Sequence, residues 1–255
     1  MAFEHARRAS KGARNYQEDA AEVAAGAGRD SDPANALVAV LADGMGGHAG
    51  GALASATACA AFLEAYAAAC ADDTRERLES GLMQANRAIA DKIREQPALA
   101  GMGSTLVGVT FRPEGVEWVS VGDSPLFLVR RREIALLNED HSLAPEIDKL
   151  AAAGKITWAE ARNNPRRHYL RSAVTGDELD MIDRSRRPLP LEAGDVVIVA
   201  SDGIQTLETR DIERIVSTSA DEGAAAIADA LLAAIADADD PYQDNTTIIA
   251  VRRLG

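Results

Sequence analysis

Acidic residues sit where buried strands begin or end. Residues 37–42 are a run of Leu, Val and Ala that stops at Asp43-Gly44. Residues 118–121 lead into Gly122-Asp123-Ser124, and residues 196–200 lead into Ser201-Asp202-Gly203. Asp244-Asn245 stands directly before the apolar run 246–251, and Glu18-Asp19 follows Arg14 in a polar stretch near the start. Taken singly, a strand ending in Asp-Gly is a turn signal. Taken together, strands sharing one pair of sheets would gather these carboxylates at one edge. Such carboxylates repel one another and raise each other's pKa unless a counter-ion joins them. An oxygen-only ligand set suits Mg²⁺ or Mn²⁺ rather than Zn²⁺ or Cu²⁺. A glycine beside a ligand lets a backbone carbonyl approach as well.

The glycine-rich stretch Asp43-Gly44-Met45-Gly46-Gly47-His48-Ala49 invites a rival reading. Gly44 to Ala49 fits G-x-G-x-x-A, a dinucleotide-binding variant. Three features reject it. Asp43 would set a negative charge beside a pyrophosphate. Glu64, where the ribose acid would fall, lies inside an Ala-rich helix. A second long helix follows where the second strand of a βαβ unit should be. The chain contains neither G-x-S-x-G nor G-x-x-x-x-G-K-[ST], and His5, His48, His141 and His168 show no metal-ligand spacing.

The elements that must position the acids follow from periodicity and β-branched content. Strands are predicted at 37–42, 104–111, 116–121, 126–129, 196–200 and 246–251. Helices are predicted at 51–71, 74–95 and about 222–237, with Asp73-Thr74 as the cap of the second. This order lacks the regular alternation of a parallel doubly wound sheet. The strands within 104–129 read as an antiparallel meander, and the fold class is α+β with layered sheets and flanking helices. Residues 144–187 are Arg-rich and lack clear strands, so they read as a small helical insertion or flap. Arg162, Arg166, Arg167 and Arg171 in it either read acidic or phosphorylated neighbours or balance local acids.

Composition bounds the rest. The 255 residues are 47% hydrophobic and 26% charged, an ordinary globular balance with enough length for a full core. The net charge of −13 repels phosphate backbones and anionic lipid, arguing against nucleic acid and membrane as partners. Cys59 and Cys70 are eleven residues apart in a predicted helix, roughly 16 Å at the helical rise and beyond disulfide reach. Reduced thiols, and a start without an apolar signal core, suggest a cytoplasmic protein. The Ala-rich stretch 52–71 is too weakly hydrophobic for a convincing membrane span. A monomer is the default expectation.

With these residues in hand, the chain resembles the metal-dependent protein phosphatases, also called type 2C, in their bacterial form. The resemblance covers nearly the whole chain and rests on pieces in the family's order. They are Arg14-x-x-Gln17-Glu18-Asp19, Asp43-Gly44-Met45-Gly46-Gly47-His48, Gly103-Ser104-Thr105, Val121-Gly122-Asp123-Ser124, Asp140-His141-Ser142, Leu170-x-x-Ala173-x-x-Gly176, Ser201-Asp202-Gly203 and Asp244-Asn245-x-Thr247. It implies one catalytic domain over residues 1–255, a four-layer α-β-β-α sandwich with a flap at about 144–187. It implies Mn²⁺ or Mg²⁺, two ions in the core site: Asp43 bridging them, the Gly44 carbonyl on one, Asp202 and Asp244 on the other. Glu18 and Asp19 would act close by, through bound water, and Asp123 with Asp202 would hold a third ion. Arg14 would grip the substrate phosphate.

The implied activity is hydrolysis of protein phosphoserine and phosphothreonine by direct attack of a metal-bridging water. The implied partners are phosphorylated proteins, a bacterial Ser/Thr kinase and its targets among them. Animal members carry a His two residues after the bridging Asp. Here that position is Met45, which cannot transfer a proton, so a metal-bound water is the expected donor and His48 the alternative. A catalytically silent phosphoprotein-binding module on this fold would lack metal acids, and this chain lacks none of them.

Overall fold

The structure is a computed structural model that describes residues 2–25, 36–47, 49–69 and 73–255. Cys70 and His48 lie outside the described residues. Two antiparallel sheets stack face to face. One has the strand order β1 (Phe3–Ser10), β11 (Thr246–Arg253), β10 (Val196–Ala200), β7 (Leu126–Arg130), β8 (Glu133–Leu136). The other runs β2 (Asp19–Ala25), β3 (Leu37–Met45), β5 (Leu106–Arg112), β6 (Gly115–Val121), β9 (Asp183–Arg184), with β4 (Gly103–Ser104) added to the end of β3.

Side-chain alternation along the central strands sorts the core into three layers. On β3, Leu37, Ala39 and Leu41 point between the sheets, where they meet Val197 and Val199 of β10 and Ile249 and Val251 of β11. Val38, Val40 and Ala42 point the other way, onto α1 (Ala49–Ala68) and α2 (Thr74–Glu95). Ile198 and Ala200 of β10, with Ile248 and Ala250 of β11, face α5 (Thr209–Ser219) and α6 (Ala224–Asp237). The result is α-β-β-α, as the resemblance implied. Both faces of each central strand are buried, which is why these strands read as continuous apolar runs rather than alternating ones.

By length and composition, Gly50–Ala68 would pass for a membrane span. In the fold, Ala54, Ala58, Cys59, Phe62 and Tyr66 of this helix are fully or almost fully buried against α2 and the sheet, so its hydrophobicity serves the core. Asp73 caps α2 by accepting from Arg75 N at 2.9 Å. Cys59 is buried and unpaired, and burial pushes its thiol up to about 12.

The expected meander over 104–129 is correct only for β5 and β6, which pair throughout. β7 leaves for the other sheet and pairs with β10. The reversal falls at Gly122, whose φ is +104°; a Cβ there would stand 2.6 Å from Thr105 Cγ2. Only glycine fits that turn, and it throws Asp123 out at the junction of the two sheets. The insertion forms two short helices, α3 (Ala144–Ala152) and α4 (Trp158–Arg162), around Ile147, Ala151 and Ala161. It then returns to the second sheet at β9.

Candidate functional site

The acids converge because four strand ends meet at one edge of the sandwich. β2 and β3 pair with Asp19 opposite Asp43. β10 ends at Ala200 and passes into the 3₁₀ turn Asp202–Thr206. Its neighbour β11 begins just after Asp244-Asn245. Two side chains stitch the sheets together there. Ser201 Oγ donates to Asp19 Oδ2 at 2.8 Å and accepts from Thr247 N at 2.9 Å. Asn245 Oδ1 accepts from Glu18 N at 2.7 Å, while its Nδ2 donates to the Lys11 and Tyr16 carbonyls, both at 2.9 Å. Asn245 thereby fixes both ends of the loop that presents Arg14.

Asp43 is held through its backbone. Its N–H donates to Thr105 Oγ1 at 2.9 Å, and its carbonyl accepts from Thr105 N and Ser104 Oγ, both at 2.8 Å. The Glu18 carbonyl accepts from Gly44 N at 3.1 Å and from the Ser55 hydroxyl. At the Asp123 turn, Gly122 N donates to His141 Nδ1 at 3.3 Å and the Gly122 carbonyl accepts from His141 N at 3.1 Å.

A cavity of about 830 Å³ opens at this edge, and Arg14, Glu18, Asp43, Gly44, Asp123, Asp202 and Asp244 all line it. Of the acids named from the sequence, only Asp19 stands back from its wall, under Ser201. The insertion also lines the cavity, with His168, Tyr169, Leu170 and Arg171. Met45 lines the cavity too and brings no proton donor with it.

Crowding shows in the electrostatics. Burial pushes Asp19 up to about 6, with Asp202 and Asp244 adding to the rise. Burial pushes Asp123 to about 8, reinforced by Asp202 and Asp140. Asp43 is raised well above the usual carboxylate range, by burial first and then by Asp202, Asp19, Asp123 and Asp244. Asp202 is raised by burial and by Asp244. His141 is lowered by burial. At Asp244, Arg14 Nη2 donates to Oδ2 at 2.5 Å.

Among the described residues, no group of three or more His, Cys, Asp or Glu side chains has closed to a metal-sized ligand shell; the carboxylates ring the cavity instead. Their oxygens nonetheless fit a hard divalent cation. Glu18 Oε1, Asp19 Oδ1 and Asp202 Oδ1 are buried with no hydrogen-bond partner, an expensive condition that a cation relieves. The backbone makes room beside them: a Cβ on Gly51 would lie 2.4 Å from Glu18 Oε1 and 2.9 Å from the Gly44 carbonyl.

The supports Ser201, Asn245, Thr105 and Ser55 are neutral polar residues whose types alone do not mark them as part of a site. Ser201, Asn245 and Thr105 stood inside the quoted motifs, and their adjacency to the acids was the available signal. The flap arginines divide. Arg167 makes a two-point pair with Asp148 at 2.6 and 2.9 Å, and Arg171 pairs with Glu146 at 2.9 Å. Arg162 and Arg166 have no ion-pair partner among the described residues.

The chain belongs to the protein phosphatase 2C family, whose model matches residues 18–236. It is 34% identical to the serine/threonine protein phosphatase PstP of Mycobacterium tuberculosis over 175 residues, which are 69% of this chain and 33% of that protein. The chain thus matches about a third of the length of that relative. It is 31% identical to the serine/threonine phosphatase stp of Listeria monocytogenes over 177 residues, 68% of each. The M. tuberculosis PstP crystal structure superposes over the whole of both chains with a TM-score of 0.81 at 28% identity. A PstP catalytic domain solved with two manganese ions covers 99% of each chain with a TM-score of 0.77 at 27% identity.

Proposed function

We propose that this chain is a Mn²⁺- or Mg²⁺-dependent protein serine/threonine phosphatase acting on phosphorylated proteins, a Ser/Thr kinase and its targets among them. One observation carries the reading: carboxylates from four strand ends of two sheets converge on one cavity with Arg14 at its rim. The two manganese ions of the PstP catalytic domain support a site for two metal ions here. Asp43, the Gly44 carbonyl, Asp202 and Asp244 would hold the two ions, with Glu18 and Asp19 beside them and a third ion at Asp123 and Asp202. Bound ions of this kind activate water for in-line attack on phosphorus and offset the charge that develops.

The chain's own residues supply the rest. Arg14 binds and orients the phosphate through charge-assisted hydrogen bonds. Asn245 and Ser201 fix the loop and strand ends so that Arg14 and the acids keep one geometry, the condition for electrostatic catalysis without reorganisation. Met45 leaves the leaving-group oxygen without a side-chain acid at that position, so its proton comes from water. We take residues 1–255 as one catalytic domain with a flap at 144–187, and a cytoplasmic location on the strength of the free, buried Cys59 thiol.

Phosphate release from phosphothreonine, phosphoserine and phosphotyrosine peptides, with Mn²⁺ and with EDTA, tests the class. Turnover of the first two, abolished by EDTA, is expected. No turnover by a folded, Mn²⁺-loaded protein would overturn the reading.

A further inference from the structure

Asp123 lines a second cavity as well as the cleft. This one holds about 710 Å³, within the ~300–1,000 Å³ range of small-ligand pockets. Two more pieces of chain are shared between the cavities. The 3₁₀ turn Asp202–Thr206 gives Asp202 to the cleft and Ile204 and Gln205 to the second cavity. The insertion gives Tyr169 and Arg171 to the cleft and Arg162 and Arg167 to the second cavity. The two cavities are therefore neighbours that share Asp123 and these two segments of chain.

Their chemistry differs. The second cavity has an apolar floor of Phe127, Leu136, Ile204, Leu207 and Ile212. Leu136, on the edge strand β8, leaves 51% of its surface exposed. Of the charged residues that line it, Arg167 pairs with Asp148 and Arg210 with Glu208 at 3.0 Å, while Asp123 and Asp140, on the side shared with the cleft, have no ion-pair partner among the described residues. Arg162 is the cation of this rim with no ion-pair partner among the described residues.

We propose that this cavity receives an apolar side chain of the phosphoprotein substrate, close in sequence to the phosphorylated residue in the cleft, with Arg162 pairing an acidic residue beside it. The inference rests on the phosphatase reading and adds a substrate class to it. A cleft built for phosphate recognises a group common to every phosphoprotein, so discrimination has to come from contacts outside it. An apolar anchor in a desolvated pocket, ringed by polar contacts, is the usual form of such a contact. One apolar group in such a pocket discriminates by roughly ten- to hundredfold.

The test is kcat and KM for a set of phosphothreonine peptides in which a single Leu is walked along an Ser-only flank, then a Glu beside the best Leu. p-Nitrophenyl phosphate, which reaches the cleft alone, is the internal control. Wild-type protein, Leu136→Asp and Arg162→Glu are compared. The expected result is one Leu position that lowers KM about tenfold. That preference is lost in Leu136→Asp. The Glu preference reverses to Lys in Arg162→Glu, and p-nitrophenyl phosphate turnover is unchanged throughout. If Leu136→Asp does not fold, the charge reversal at the exposed Arg162 carries the test alone. Turnover of p-nitrophenyl phosphate with no Leu preference, or preferences that survive both substitutions, would overturn this inference and leave the phosphatase reading standing. No p-nitrophenyl phosphate turnover by any form would overturn both.

Discussion

Arg14 and Asp244, 230 residues apart in sequence, meet as an ion pair of 2.5 Å at the mouth of the cleft. Each has another task in the proposed mechanism: Arg14 to bind phosphate, Asp244 to bind a cation. Both side chains are about half exposed, 54% and 41%, so the pair itself is worth no more than about 1 kcal/mol and is readily exchanged. The cation and the phosphate can thus replace the two halves of this pair with stronger partners. We expect Arg14→Ala to lower kcat/KM about ten- to hundredfold for p-nitrophenyl phosphate and phosphopeptides alike, the worth of charge-assisted hydrogen bonds. Mn²⁺ affinity, read by calorimetry, should not weaken. Loss of Mn²⁺ binding in this variant would assign Arg14 to the scaffold instead.

The raised carboxylates predict how stability depends on pH. An unfolded Asp titrates near ~3.9, whereas folded Asp19 titrates at about 6 and folded Asp123 at about 8. Between those values the carboxylates of the metal-free folded protein hold more protons than those of the unfolded chain. The lowered imidazole of His141 acts in the opposite sense, but it is one group against the four raised carboxylates Asp19, Asp43, Asp123 and Asp202, so stability falls as pH rises. Melting temperature in EDTA should therefore drop from pH 5 to pH 8, and Asp123→Asn should flatten the upper half of that slope. Stabilisation by Mn²⁺ should grow over the same range, because the ion takes the charged carboxylates. A melting temperature in EDTA that rises steadily over this range would contradict the crowding.

Gly51 leaves the room in which Glu18 and the Gly44 carbonyl stand. Gly51→Ala would place a methyl 2.4 Å from Glu18 Oε1. Glu18 can swing aside, at the cost of its place beside the cation, but the Gly44 carbonyl, 2.9 Å from the same methyl, is backbone and cannot. Overpacking of that kind costs about 1–3 kcal/mol, so thermal melting should fall by several degrees and the Mn²⁺ response should shrink. Unchanged melting and unchanged Mn²⁺ affinity would mean that Glu18 has nothing to do with the cation.

The sequence was most legible where a strand is buried on both faces and ends in an acid. β3, β10 and β11 announce themselves as apolar runs, and their terminal Asp residues were found with them. α2 was legible to its bounds, helped by the Asp73 cap. β1 was not: Phe3–Ser10 is an edge strand carrying His5, Arg7 and Arg8, and only backbone pairing with β11 makes it a strand. β2 offered little, since Asp19–Ala25 holds four Ala and a single Val around Glu22. α5 did carry a signal, since Ile212, Ile215 and Val216 fall at helical spacing and are buried together; the run is short and was passed over. Which sheet β7 joins turns on the backbone at Gly122, and a local pattern does not encode it. At the site, residue types revealed the acids, but the roles of Ser201 and Asn245 appear only when strands distant in sequence are brought side by side.

The most direct test titrates Mn²⁺ against hydrolysis of a phosphothreonine peptide by the wild-type protein and by Asp202→Asn, with circular dichroism confirming that both are folded. Asp202 faces the cavity with a buried, unpartnered oxygen, so its loss should remove a cation ligand and little else. A cation held by these carboxylates predicts saturable, Mn²⁺-dependent turnover by the wild type and at least a hundredfold loss in the variant, about 2.7 kcal/mol or more of transition-state stabilisation. Equal turnover by the two proteins, or wild-type turnover that persists in EDTA, would contradict it.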